Sequence, residues 1–337
     1  MFKSFKIQVL TVFLLVVVLS LQSASALAIS KDSFTRDAKN DALDRQIEDF
    51  LKENYKGYYD LKGFRFAYRD SEEFPGAVEI NVGCEMTLLK PVEDLPMMQG
   101  MKQALDGTAM QSISSKEAVD VYRETLDVIE EKHFQVPNKT TFTFIIPNNA
   151  SRELRNVKVL NDFEILDLDS LKINESELKN EGRELLQEVL SGQHFKQVST
   201  LRSSGYDRIG ARDYALAHAY DPPKYSSDCA NFVSNCLHYG GGISTTSAWY
   251  PGSANWIRTG YHNNGGVVPY MVNRGLFYRE PNRSRVAAGA IVSRNDMSHV
   301  YLVTYGDTVT IKVTAHTTAR RNMVMPASEN VSYYMYN

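Results

Sequence analysis

Residues 225–242 read YSSDCANFVSNCLHYGGG, and the prediction of the fold starts from this stretch. Its apolar residues recur at the spacing i, i+3, i+4, i+7 and i+8, which is typical of one buried face of an α-helix. These residues are Cys229, Phe232, Val233, Cys236 and Leu237. Ser226, Ser227 or Asp228 can cap the start of the helix, and glycines 240–242 favour its end. We therefore expect Cys229 both at the helix N-terminus and on the inward face.

A cysteine in the first turn of a helix is chemically activated. The unpaired backbone N–H groups and the positive end of the helix dipole stabilise a thiolate, which is the nucleophilic form of cysteine. The same N–H groups can hold the oxyanion of a tetrahedral intermediate. Cys236 lies about 10 Å further along the axis, too far to form a disulfide with Cys229 within this helix. We interpret Cys236, and Cys84 in a predicted strand, as buried hydrophobic residues.

A nucleophilic cysteine needs a base, and residues 296–318, DMSHVYLVTYGDTVTIKVTAHTT, contain two histidines. Two apolar strands flank a Gly-Asp pair, which predicts a β-hairpin. If Gly306 and Asp307 form a two-residue loop, His299 lies opposite Thr314, and His316 lies one diagonal step away on the same face. A lone histidine in a strand is usually a satisfied core residue, but this pair favours a catalytic triad with Cys229. In that triad His299 accepts the thiol proton, and His316 orients the His299 ring.

Residues 206–242, YDRIGARDYALAHAYDPPKYSSDCANFVSNCLHYGGG, resemble the putative amidase domain family of bacteria. The similarity continues through the tryptophan pair Trp249 and Trp256 to the Ser-His-Val and His-Thr motifs, and it covers about residues 204–325. It implies a papain-like fold related to CHAP and NlpC-type domains, in which the cysteine helix packs on an antiparallel sheet that carries the histidine. By position, the resemblance implies three catalytic residues and two supporting residues at the helix start or oxyanion site. The catalytic residues are Cys229, His299 and His316, and the supporting residues are Asp228 and Asn231.

The first 28 residues have the pattern of a secretory signal peptide. Lys3 and Lys6 precede an apolar stretch over residues 9–21, and small residues offer a cleavage site near residues 26–28. The apolar stretch is shorter than the roughly 20 residues that span a bilayer. We therefore expect a secreted or cell-wall protein without a stable membrane span, with an uncleaved anchor as the alternative. Three cysteines are too few, and odd in number, for a disulfide framework.

The fold class predicted for the whole chain is α+β, in two domains. Residues 29–198 combine helical spacing with alternating strand patterns and are expected to form a small α+β accessory domain. Residues 199–337 are expected to form the amidase catalytic domain. This second region carries 13 Lys and Arg against 8 Asp and Glu, a net charge of +5, whereas residues 29–200 carry 22 against 32, a net charge of −10. The contrast suggests that the two domains have different tasks.

The sequence therefore predicts a secreted cysteine amidohydrolase or peptidase that acts on amide bonds, with the peptides of cell-wall peptidoglycan as the expected substrate. Trp249, Trp256 and Tyr225 are the expected substrate-binding residues. There are two alternatives: a transamidase that uses the same triad, and a catalytically inactive cell-wall-binding module that stacks its ligand on the tryptophans and tyrosines. We expect no metal, because no His, Cys and Asp cluster has zinc-ligand spacing, and no cofactor. A nucleic-acid partner is not expected either, and the oligomeric state is left open.

Overall fold

The computed structural model describes residues 40–106, 113–161, 164–191, 205–260, 265–317, 319–328 and 330–337. The predicted signal peptide and the predicted domain boundary between residues 198 and 199 lie outside the described residues. None of the described helices is both long and apolar enough to cross a membrane.

The described residues form eight α-helices, several of which begin at the polar caps that helix starts favour. They are α1 (Asp41–Asn54), α2 (Pro96–Asp106), α3 (Ile113–Lys132), α4 (Glu175–Leu190), α5 (Arg208–His218), α6 (Cys229–Asn235), α7 (Ala254–Ile257) and α8 (Val267–Asn273). The side chain of Asn174 accepts a hydrogen bond from Glu177 N at the start of α4, and Asp207 accepts from the backbone N–H groups of Ile209 and Gly210 at the start of α5. These caps satisfy N–H groups that have no partner within the helix.

Eleven strands within the described residues join into one sheet. They are β1 (Tyr59–Asp70), β2 (Ala77–Leu88), β3 (Asn138–Pro147), β4 (Lys158–Asn161), β5 (Glu164–Leu166), β6 (Phe277–Glu280), β7 (Ile291–Arg294), β8 (Val300–Gly306), β9 (Ile311–Ala315), β10 (Arg320–Val324) and β11 (Val331–Tyr336). The order along the sheet is β1-β2-β3-β10-β9-β8-β7-β11-β6, with β4 and β5 branching from β3. All pairs are antiparallel except β3 with β10. The chain is therefore α+β with a large, mostly antiparallel sheet, which confirms the predicted fold class; the papain-like details of that prediction stay untested.

The first half of the chain builds its core from the patterns that the sequence displays. Alternating burial along β2 places Ile80, Val82 and Cys84 in this core, and Leu43, Ile47 and Leu51 supply the inward face of α1. Cys84 is 1% exposed and free, as predicted for a small hydrophobic residue.

The second half packs layers on both faces of its strands. Val300 and Leu302 of β8 pack in the same core as α5 and α6, whereas Tyr301 and Val303 point to a separate core with β10 and β11. A strand that is buried on both faces is nearly continuously apolar, as HVYLVTY is. This arrangement holds the helix that carries Cys229 against the strand that follows His299.

The two halves are joined by the parallel contact of β3 with β10, where Thr141 lies opposite Met323. Arg320 of β10 forms an ion pair with Glu79 of β2 at 2.7 Å, and both side chains are 3% exposed.

Lys312 of β9 also lies at this junction. The predicted hairpin alone does not explain why a lysine occupies this position. Its Nζ donates to Asn138 Oδ1 at 2.8 Å and to Thr140 Oγ1 at 2.7 Å, and lies 4.1 Å from the centre of the Tyr305 ring. Two residues of β3, in the first half of the chain, thus accept hydrogen bonds from the fully buried amino group of Lys312, in the second half.

Candidate functional site

Cys229 lies where the sequence placed it, at the first residue of α6, with Asp228 as the N-cap. The five apolar positions of the predicted face are all buried. The helix continues into a π-helical turn, Cys236–Gly240, and Gly242 then adopts a positive φ of +73°. The predicted glycine ending is therefore present, and the short helix fixes the cysteine against the sheet.

The thiol of Cys229 meets the imidazole of His299 across the contact between α6 and β8. Cys229 and His299 are each 1% exposed, and they are hydrogen-bonded to each other. Burial by itself raises the pKa of the Cys229 thiol. The hydrogen bond and the charge of His299, together with the backbone N–H groups of Val300 and Ala230, outweigh burial and lower that pKa below its ordinary value of 9.0. The site therefore stabilises the thiolate form of Cys229 more than water stabilises that of an ordinary cysteine.

The other two cysteines show how unusual this environment is. Burial raises the pKa of the Cys84 thiol to about 12, and it raises the pKa of the Cys236 thiol well above its ordinary value. No histidine contributes to the pKa shift of either thiol. The neighbouring His299 and the backbone N–H groups of Val300 and Ala230 therefore distinguish Cys229 chemically from the other two buried cysteines.

The register of the β8–β9 hairpin differs from the prediction. The loop contains four residues, 307–310, because Gly306 lies opposite Ile311. A four-residue loop alone would keep His299 and His316 on one face, but a β-bulge at Thr304 inserts one extra residue between Val303 and Tyr305. Leu302 therefore lies opposite Thr314, and continuing this register places His316 opposite Val300, on the face toward α6. The predicted pairing of His299 with Thr314 was therefore wrong, while both histidines, which lie just outside the paired residues, contact α6.

Both ring nitrogens of His316 bind acceptors other than His299. Nδ1 lies 2.8 Å from Asp228 Oδ2, and Nε2 lies 2.8 Å from the carbonyl oxygen of His218. The ring also stacks on Phe232, with the ring centres 4.1 Å apart. Direct orientation of the His299 ring by His316, as predicted for the triad, is therefore not the arrangement found. His316 instead ties the end of β9 to the residue before Cys229.

Asp228 and Asn231 form a buried network around the helix start. Asp228 Oδ1 accepts from the backbone N–H groups of Lys224 and Tyr225 and from Asn231 Nδ2, and Asn231 Oδ1 accepts from Trp256 Nε1. Their polar atoms are thus used within the protein, and the supporting or oxyanion role expected of Asp228 and Asn231 stays a prediction. An oxyanion contact is also chemically unsuitable for a carboxylate, which only accepts hydrogen bonds.

Thr317 is a further residue of the site that the sequence did not predict, and its hydroxyl accepts a hydrogen bond from the backbone N–H of Asp228 at 3.0 Å. Thr317 has a positive φ of +85°, which is uncommon for a β-branched residue. Together with His316 it holds Asp228 from two sides. The only sequence signal was its position directly after His316, and nothing in the strand pattern indicated the unusual backbone.

Trp249 and Trp256 are each 0% exposed, so the prediction that they bind substrate was wrong. Their rings pack against each other with centres 4.5 Å apart, in the core behind α6. Large aromatic side chains gain most from complete burial, which explains this position. Tyr225 is half-buried near the start of α6, and its predicted contact with substrate stays a prediction.

No group of three or more His, Cys, Asp or Glu side chains in the described parts of the chain is arranged to hold a metal ion. What the arrangement offers chemically is an ionisable sulfur, an adjacent imidazole and two backbone N–H groups. This set suits attack of a thiolate on a carbonyl carbon.

Comparison with known families locates a relationship in this half of the chain. A family model described as "Putative amidase domain" matches residues 205–336, a range that contains Cys229, His299 and His316. No curated protein and no solved structure matches the chain.

Proposed function

We propose that this chain is a cysteine-dependent amidohydrolase with Cys229 as the nucleophile and His299 as the base, because a family model described as "Putative amidase domain" matches residues 205–336. The family itself suggests amide hydrolysis. The cysteine mechanism is supported by one observation above all, the hydrogen bond between His299 and the Cys229 sulfur with the lowered pKa of that thiol.

In the proposed reaction, His299 takes the thiol proton and the sulfur of Cys229 attacks the amide carbonyl carbon. The tetrahedral intermediate collapses, the C–N bond breaks, and the departing amine takes the proton from His299. This leaves a thioester on Cys229. His299 then removes a proton from water, the hydroxide attacks the thioester, and the carboxylic acid and the free thiol are released. The net reaction is amide plus water to acid plus amine.

His316 acts in this proposal as a positioning residue. Its bond to Asp228, with that of Thr317, fixes the peptide that enters α6 and so fixes the sulfur relative to His299. Small displacements of reacting groups reduce reaction rates strongly, so holding Asp228 in place should keep the Cys229 sulfur in a reactive position.

The proposed substrates are the peptides of cell-wall peptidoglycan. The net positive charge of residues 201–337 suits an anionic cell-surface polymer. Export by the N-terminal signal pattern would bring the enzyme to that substrate. Burial of both tryptophans removes part of the aromatic surface on which the alternative of an inactive binding module depended, whereas Tyr220, Tyr239 and Tyr250 are exposed.

The test measures release of new amino groups from purified muropeptides by the wild-type protein, by Cys229→Ala, and by Cys84→Ala as a matched control. We expect activity in the wild type and the control and none in Cys229→Ala. Undiminished release by Cys229→Ala would contradict the mechanism. A labelled primary amine added to the same assay distinguishes hydrolysis from acyl transfer, since only a transamidase incorporates the label.

A further inference from the structure

A cavity of about 680 Å³ lies between the two halves of the protein, away from Cys229. One wall is formed by α3, including Val121 and Val128, and the opposite wall by β11 and the segments before β7 and after β8. Cavities that bind small molecules commonly measure about 300–1,000 Å³ and are lined mainly by apolar groups with a few polar ones. This cavity has both the size and the composition of a binding site.

Two hydroxyl groups in its lining are unsatisfied. Among the residues that the structure describes, no hydrogen-bond partner is present for Ser284 Oγ or Thr308 Oγ1, and Ser284 is only 4% exposed. Thr308 also has a positive φ of +73°, an unfavourable conformation for a β-branched residue. Buried hydroxyls without hydrogen-bond partners destabilise a protein. Their presence in a cavity wall therefore indicates that a bound ligand supplies the missing partners.

Arg208 supplies a cation to the same cavity. No ion pair or hydrogen bond of its guanidinium group occurs within the described part of the chain. Arg285 also lines the cavity, but it is paired with Glu188 at 2.9 Å and lies 3.8 Å from Glu280. Glu117, Glu124 and Glu280 also line the cavity, and burial raises the pKa of Glu280. Since Arg285 is already paired with Glu188, Arg208 is the lining cation with which the carboxylate of a ligand can pair.

We propose that this junction cavity binds a small amphipathic carboxylate. Its apolar chain lies between Val121, Val128 and Met335, and its carboxylate pairs with Arg208. The hydroxyls of Ser284 and Thr308 hydrogen-bond to its polar atoms. This chemistry is shared by a fatty acid and by a short apolar peptide with a free C-terminus. The proposal does not depend on the amidase activity.

The test measures binding to the full chain by isothermal titration calorimetry. The probes are dodecanoate, the tripeptide acetyl-Ala-Leu-Leu with a free carboxylate, and their neutral counterparts dodecanol and the tripeptide amide. We expect at least one carboxylate to bind and its neutral counterpart to bind about tenfold more weakly, because a charge-assisted hydrogen bond is lost. Binding of dodecanoate would indicate a fatty acid as the ligand, and binding of the tripeptide would indicate a peptide C-terminus. Failure of both would overturn the proposal.

Three variants locate the site. Arg208→Gln should weaken carboxylate binding about tenfold, and Val128→Trp should block it by filling the cavity. Arg212→Gln, on the same helix but paired with Asp213, should bind as the wild type does. Unchanged affinity in both Arg208→Gln and Val128→Trp would place the ligand elsewhere and refute the assignment.

Ser284→Ala provides a readout that is independent of folding failure. Since the hydroxyl has no partner in the unliganded protein, its removal should leave the melting temperature unchanged or raise it, while carboxylate binding becomes weaker. A lower melting temperature with unchanged binding would show that the Ser284 hydroxyl stabilises the folded protein rather than binding the ligand, and would contradict the proposal.

Discussion

Replacing Lys312 by Met tests how the two halves of the protein are held together. Lys312 is fully buried, and the charges that favour its ammonium form are those of Asp307 and Cys84. Burial lowers the pKa of the ammonium from 10.5 to about 7, although the charges of Asp307 and Cys84 oppose this shift. Methionine matches the length of the lysine chain and removes the titrating group.

The sign of the pH effect follows from this lowered pKa. In the unfolded chain a lysine keeps its proton up to a pH of about 10.4. Between the two pKa values the unfolded chain binds one more proton than the folded chain, so the Lys312 contribution to stability improves by about 1.4 kcal/mol per pH unit as the pH rises. Below pH 7 both states are protonated and the contribution is constant. The full shift corresponds to a cost of about 5 kcal/mol at low pH.

The assay is urea unfolding of the wild type and Lys312→Met at several values between about pH 7.5 and 9.5. The stability of the variant relative to the wild type should fall by about 1.4 kcal/mol per pH unit, because only the wild type gains as pH rises. The absolute difference also contains about 1–3 kcal/mol for the lost bonds to Asn138 and Thr140. Lys139→Met, at an exposed neighbouring position, serves as the control and should show no such slope. A pH-independent difference for Lys312→Met would refute the reasoning.

Three further variants test the network around the site and the junction. His316→Asn keeps a donor toward Asp228 and should retain more amidase activity than His316→Leu; equal loss in both would argue against positioning through Asp228. Trp256→Phe should cost about 1 kcal/mol of unfolding free energy through the lost indole donor while KM stays unchanged, and a raised KM would restore a substrate role. Arg320→Leu leaves the Glu79 carboxylate buried without this partner and should destabilise the protein by about 3–5 kcal/mol in urea unfolding; a loss below 1 kcal/mol would show that the pair does not hold the junction.

The sequence predicted those parts of the structure that depend on local periodicity. The face formed by Cys229, Phe232 and Cys236 follows from helical spacing, and the strands of the first half follow from alternation. The contact between Cys229 and His299 could also be predicted from the sequence, because a nucleophilic cysteine at a helix start needs a neighbouring base.

Other features depend on packing between distant segments, which no local pattern encodes. The bulge at Thr304 changes the face of every residue beyond it, and its position is not marked by a glycine. The two tryptophans are equally compatible with a binding surface or a core until the fold buries them. The strand pattern around Lys312 does not indicate what binds its ammonium, because its partners Asn138 and Thr140 lie in the other half of the chain.

The most direct measurement of the catalytic account is the rate of alkylation of Cys229 by iodoacetamide as a function of pH, followed by mass spectrometry of the labelled peptide. With His299 beside the sulfur, the midpoint of the wild-type profile should lie below 9.0, the ordinary pKa of a thiol, and His299→Gln should move it upward. A wild-type midpoint at or above 9.0, or a profile that His299→Gln leaves in place, would contradict the claim that this histidine ionises the cysteine.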